Sequence, residues 1–302
     1  MKTLFRILIL AVVGTIGAAT SRAETGLLFD YPVPPDSVMD LQPRCDYIVG
    51  RFWDRCNFDL AMRNPAKFNV VFGDWISLMP HASAEVVHSS IDNILARFAK
   101  KGAAETLAMA RMAEQWLYSD TAQMRSEEIL YPFVHAAANH KKIKKDERRH
   151  FEQLDKVLVS SSVGSNVPDI PFIYGDGATG SLGDVKGGSV LLYIYDPDDV
   201  NATLTRIRLD TDRNARELID RGELSVVTIY PGEPDDKWRS ALASFPANWV
   251  NAAAPATKEY FDLRRMPQFY FLNTAHKVLA KDLDVDYLLG AFKVANEARK
   301  KK

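Results

Sequence analysis

The chain has 302 residues, long enough for two domains with cores of their own. Hydrophobic residues make up 47% and charged residues 25%, which excludes a wholly disordered chain. The 38 basic and 39 acidic residues leave a net charge of −1, which argues against nucleic acid as a partner, and two cysteines exclude a disulfide-rich scaffold and a four-cysteine zinc site.

Residues 1–23 have the pattern of a secretory signal peptide. Lys2 and Arg6 form a basic start, Ile7 to Thr20 is apolar and rich in small residues, and Ser21-Arg22-Ala23 offers a cleavage site. An uncleaved anchor is the alternative. Cleavage removes three cations and no acid, moving the formal charge from −1 to −4. No later stretch is apolar enough to span a membrane.

Residues 24–160 read as an all-helical module. Phe68, Val71, Phe72, Trp75 and Met79 recur on one helical face, and Val87, Ile91, Ile94, Leu95 and Phe98 repeat the pattern before Gly102. Phe151, Leu154 and Leu158 mark a last helix. Lys141-Lys142-Ile143-Lys144-Lys145 runs straight into Asp146 and Glu147, as a solvated helix start does.

Cys45, Ile48, Phe52 and Cys56 are spaced as one helical face. On a continuous helix the two cysteines are separated by about 16 Å of rise, beyond the roughly 7 Å Cα separation that a disulfide tolerates. They are expected to be buried, unbridged thiols, with a redox pair as the alternative. His81 and His88, and His135 and His140, are spaced wrongly for shared metal ligation. No His-Glu-x-x-His, Gly-x-Ser-x-Gly, Walker or Rossmann motif occurs.

Residues 161–302 change pattern. Val190 to Tyr195 is a continuous apolar run, the mark of a strand buried on both faces. Asp196-Pro197-Asp198-Asp199 ends it, and a helical stretch with Leu204, Ile207 and Leu218 follows. Leu224 to Tyr230 reads as a second buried strand, and Trp238, Leu242 and Phe245 as a helix. Phe269–Leu272 and Lys277–Leu279 read as paired strands around Asn273-Thr274, and Leu288, Leu289, Phe292 and Ala295 as a closing helix. This order predicts an α/β sheet with a parallel core and an antiparallel edge.

That order, with Arg265-Met266-Pro267-Gln268-Phe269 ahead of a strand, resembles the thioredoxin superfamily. Val167-Pro168-Asp169-Ile170-Pro171-Phe172, Asp176-Gly177, Ser181-Leu182 and Asn248-Trp249 are similar to its exported TlpA-like subgroup. Trp116-Leu117-Tyr118-Ser119-Asp120 with Met124-Arg125-Ser126-Glu127-Glu128, and the junction from Gln153-Leu154 to Val163-Gly164, resemble an exported family in which a helical domain of unknown function precedes a TlpA-like domain. The resemblance implies a helical module followed by a thioredoxin-like domain, a central mixed sheet flanked by helices. It also implies a cis-proline at Pro267 beside Met266, facing the active site, and a periplasmic location.

The departure from that family lies in its C-x-x-C motif. Asp199-Val200-Asn201-Ala202 stands at the matching position, with Asp199 and Ala202 where the cysteines would be. Neither can form a mixed disulfide, and exchange needs both sulfurs. Asp199 suits a helix N-cap, and a sharper reading keeps the old groove at Met266 and Pro267 for extended peptide. Asp210-x-Asp212-x-Asn214 begins like a calcium loop, but Ala215 and Arg221 stand where Gly and Glu are required.

The sequence therefore predicts an exported, redox-inactive thioredoxin-fold protein that binds a peptide or another exported protein. No catalytic residue, disulfide, metal, cofactor or nucleic acid is expected. The alternative is a thiol–disulfide oxidoreductase or isomerase using Cys45 or Cys56. A third reading makes the helical half the interface to a structural partner.

Overall fold

A computed structural model describes residues 28–122 and 124–300. The expected signal peptide, residues 1–23, lies outside the described residues. The chain divides into two compact units between Ser90 and Ile91.

The first unit is helical. α1 (Leu41–Arg51), α2 (Phe58–Met62) and α3 (Pro65–Leu78) lead through a short 3₁₀ turn to α4 (Ala84–Lys101), which runs across the division. Asn57 caps α2, accepting from the amides of Asp59 and Leu60, and Asn64 caps α3 with Pro65 at its first position. Trp53 anchors the core, with its ring 5.7 Å from Phe58, 5.7 Å from Phe68 and 5.2 Å from Trp75. The Trp75 indole donates to the Ser90 hydroxyl at 3.3 Å, and Ser90 donates to the Val49 carbonyl at 2.7 Å.

Contrary to the expectation from spacing, Cys45 and Cys56 do not share a helix, because α1 ends at Arg51. Turns follow, with the amides of Asp54 and Cys56 donating to the carbonyls of Arg51 and Trp53. They carry Phe52 and Trp53, which are both buried. Cys45 is buried, Cys56 is only half-buried, and no disulfide joins them.

The second unit begins with the remainder of α4, and Gly102 ends that helix at a φ of 148° that suits glycine. α5 (Ala103–Leu117), α6 (Glu127–Ala138) and α7 (Lys145–Ser160) pack in succession, α6 against both neighbours. Ser126 caps α6, accepting from the Ile129 amide at 3.2 Å. Leu130, Phe133, Val134 and Ala137 form its fully buried face.

A mixed seven-stranded sheet follows, in the order β2-β1-β5-β4-β3-β6-β7 among the described residues. Its strands are β1 (Pro171–Tyr174), β2 (Thr179–Ser181), β3 (Ser189–Ile194), β4 (Leu224–Tyr230), β5 (Val250–Ala253), β6 (Gln268–Leu272) and β7 (Val278–Lys281). β3, β4 and β5 are mutually parallel, and β1, β2, β6 and β7 join antiparallel. The helices are α8 (Val200–Thr211), α9 (Arg213–Asp220), α10 (Asp236–Leu242) and α11 (Val285–Lys300). The chain is thus α followed by α/β, as the sequence predicts.

Alternation along β3 divides the core. Val190, Leu192 and Ile194 enter one cluster with Val227, Ile229, Phe261 and Tyr270. Leu191, Tyr193 and Tyr195 enter the other with Trp238, Phe269, Leu288 and Phe292. Ile194 stands opposite Gln268, so the start of β6 lies beside the end of β3 and the loop that leads into α8. Among the described residues no helix is long and apolar enough to cross a membrane.

Candidate functional site

The loop after β3 is fixed by its own carboxylates. Asp196 accepts from the Asp198 amide at 3.0 Å. Asp199 caps α8, accepting from the Asn201 amide at 2.8 Å. Lys237 forms an ion pair with Asp198. Val200 is 70% exposed and Ala202 only 3%. The Ala202 carbonyl accepts from the Tyr193 hydroxyl at 2.6 Å. Among the described residues no three His, Cys, Asp or Glu side chains are grouped to hold a metal ion.

The Met266–Pro267 peptide bond is cis. Met266 packs against the core cluster of Phe261 and Tyr270. Pro267 lines a cleft of about 600 Å³. The sheet side supplies Gln268, Phe269, Leu283 and Val285, and the helices supply Leu117, Tyr118, Arg125 and Glu127. α8 contributes Thr205 to this wall, and Asp199, Val200, Asn201 and Ala202 do not line it. Ala202 lines a separate cavity of about 30 Å³ with Tyr195, Pro197, Arg206 and Phe245. Of the sequence-predicted positions, Pro267 therefore lines one cavity and Ala202 another.

Two ion pairs tie the helices to the cleft. Lys281, at the end of β7, pairs with Glu127 at the start of α6. Arg264 donates from Nε to Asp262 Oδ1 at 2.8 Å and from Nη2 to Oδ2 at 2.7 Å, a bidentate fork. Its guanidinium also covers the Tyr118 ring and donates to the Tyr118 carbonyl. Burial pushes the Asp262 carboxyl up, but the hydrogen bonds from Arg264 outweigh it and hold the group below the usual aspartate range. Burial, then the Asp262 charge, raises the Tyr118 phenol.

Tyr118, Arg125, Ser126 and Glu127 belong to the segment whose resemblance carried no chemistry, and sequence reasoning did not place them in a site. Their clustering between Trp116 and Glu128 is the signal that was available. The cleft wall contains no cysteine. Cys45 is a poor thiolate: burial first, then Asp46, raises its pKa, and Arg44 lowers it only in part.

Residues 13–160 match a family profile described as a domain of unknown function (DUF5106). No curated protein matches the chain. A thioredoxin-like protein from Bacteroides caccae ATCC 43185 is structurally similar, with a TM-score of 0.70 and 24% identity over 88% of this chain and 98% of that one. The thioredoxin domain of a thiol-disulfide oxidoreductase from Bacteroides vulgatus covers 44% of this chain and 96% of its own, with 20% identity and a TM-score of 0.39. A thiol:disulfide interchange protein from a Bacteroides species matches 44% of this chain and 88% of its own, with 20% identity and a TM-score of 0.38. The chain has a thioredoxin-like fold.

Proposed function

We propose that this thioredoxin-fold protein binds extended segments of other proteins in the cleft at Pro267, without redox chemistry, after export to the cell envelope. The observation that carries the reading is the free backbone beside that cleft. Arg265 and Met266 make no backbone hydrogen bond among the described residues, although they lead directly into β6. A peptide laid alongside would satisfy such groups as an added strand does.

The chemistry of the walls supports the same reading. Leu117, Phe269, Leu283 and Val285 offer apolar contact, and no thiol is present. At the degenerate motif, Asp199 is spent on capping α8 and Ala202 is buried. Export rests on the signal-peptide pattern of residues 1–23, and N-terminal sequencing of the exported protein should begin at Glu24.

The test uses fluorescein-labelled, reduced and carboxymethylated α-lactalbumin, a permanently unfolded chain. Fluorescence anisotropy should register binding, and Thr205→Trp, which fills the cleft, should weaken it about tenfold or more while the melting temperature holds. Equal binding by both proteins would refute the site. Insulin-disulfide reduction above background by the wild type would refute the absence of redox chemistry.

A further inference from the structure

The cleft at Pro267 is lined by two arginines, Arg125 and Arg265, and four carboxylates, Glu127, Asp262, Asp282 and Asp284. Most of its carboxylates are spent. Glu127 is paired with Lys281, Asp262 is held by Arg264, and Asp284 accepts from the Tyr287 amide at 2.7 Å. Asp282 is the lining carboxylate that these contacts leave over, and it is exposed to water.

The donors are in a different state. Arg265 makes no ion pair or hydrogen bond among the described residues. Arg125 reaches the Ser119 carbonyl at 3.1 Å and the Asp120 carboxylate at 3.8 Å through Nη2, and its Nε has no acceptor. Gln268 is 7% exposed, and its carboxamide oxygen accepts from the Tyr270 hydroxyl at 3.3 Å. Burial keeps Tyr270 protonated, so its hydroxyl can donate to the amide oxygen. The Gln268 Nε2 has no acceptor among the described residues, and the residue lines the cleft.

We propose that the cleft recognises a carboxylate carried on an apolar body. Gln268 Nε2 and the guanidinium groups of Arg265 and Arg125 receive the carboxylate, and Leu117, Phe269 and Val285 take the apolar part. A guanidinium matches a carboxylate fork to fork, and a buried amide rejects a ligand that offers it no acceptor. The inference rests on reading the cleft as a ligand site. The carboxylate is an acidic side chain or chain end of a peptide, or a small free acid.

Calorimetry with the full mature chain separates these cases. The probes are the capped peptide Leu-Val-Glu-Val-Leu, its Gln counterpart, and octanoate. The Glu peptide should bind about tenfold more tightly than the Gln peptide, and Arg265→Ala and Gln268→Leu should each abolish most of that preference. Arg265 is exposed, so its variant keeps the test valid if Gln268→Leu fails to fold. Equal binding of both peptides would overturn the carboxylate inference and leave the peptide reading standing. Binding of octanoate alone, sensitive to Arg265→Ala, would support the carboxylate inference and overturn the peptide reading. No binding of any probe would overturn both.

Discussion

The guanidinium carbon of Arg264 lies 3.2 Å from the centroid of the Tyr118 ring, joining the end of α5 to the segment before Pro267. The same arginine grips Asp262, so one side chain fixes a helix terminus and a loop together. Arg264→Ala should lower unfolding free energy by about 1–3 kcal/mol, through the lost cation–π contact and an unpaired, mostly buried Asp262. Arg264→Lys should recover only part of it, because lysine lacks the planar fork. Urea denaturation measures both, and two variants within about 0.5 kcal/mol of wild type would contradict the assignment.

The Asp262 pairing also sets an acid limb. Its folded pKa is depressed, so its contribution is present above the ordinary aspartate value of about 4 and is lost as pH falls through the folded value. Arg264→Ala should therefore differ most from wild type near neutral pH and converge with it in acid. A difference that stayed constant down to about pH 2 would exclude the ionic part of the contact.

His150 has the opposite sign. The Glu114 carboxylate, hydrogen-bonded to its ring at 2.9 Å, raises its pKa despite burial. The stabilisation is complete below the ordinary histidine value of about 6.5 and is lost as pH rises through the raised folded value. Glu114→Gln should lower the melting temperature at about pH 5.5 and have little effect at about pH 9. The reverse trend would contradict the pairing.

The sheet core was legible because Val190–Tyr195 is a continuous apolar run and β4 is apolar but for Ser225 and Thr228, as strands buried on both faces are. Asp212, within the calcium-like stretch, caps α9, its side chain accepting from the Ala215 amide at 2.7 Å. β5 was not legible: Val250–Ala253 is four residues long and ends in alanines that are buried by position in the sheet, not by hydrophobic pattern. The end of α1 was hidden for another reason. Helical spacing continues to Cys56, but the helix ends at Arg51 and the turn hydrogen bonds that follow leave no mark in the spacing. Only the Pro267 side of the cleft was legible; its helical wall was not, because Arg264 meets Tyr118 and Lys281 meets Glu127 across more than a hundred residues of chain.

Asp199 separates capping from binding. Asp199→Ala should cost about 0.5–2 kcal/mol, the usual value of an N-cap. Because Asp199 does not line the Pro267 cleft, affinity for the unfolded probe should be unchanged. A large loss of affinity without loss of stability would return the site to the degenerate motif.

The two cysteines should differ in reactivity. Cys56 is half-buried and Cys45 is buried with a raised pKa, so a thiol reagent should modify Cys56 first under native conditions. Both should react after unfolding. Faster labelling of Cys45, or an intact mass two protons below the dithiol form, would contradict this.

Hydrogen exchange followed by mass spectrometry, with and without the acidic peptide, tests the central claim most directly. Protection is predicted in the peptides spanning Tyr118–Glu127, Thr205 and Arg265–Phe269, the walls of the cleft. Protection confined to Asp196–Ala202, or found only within residues 28–90, would contradict it.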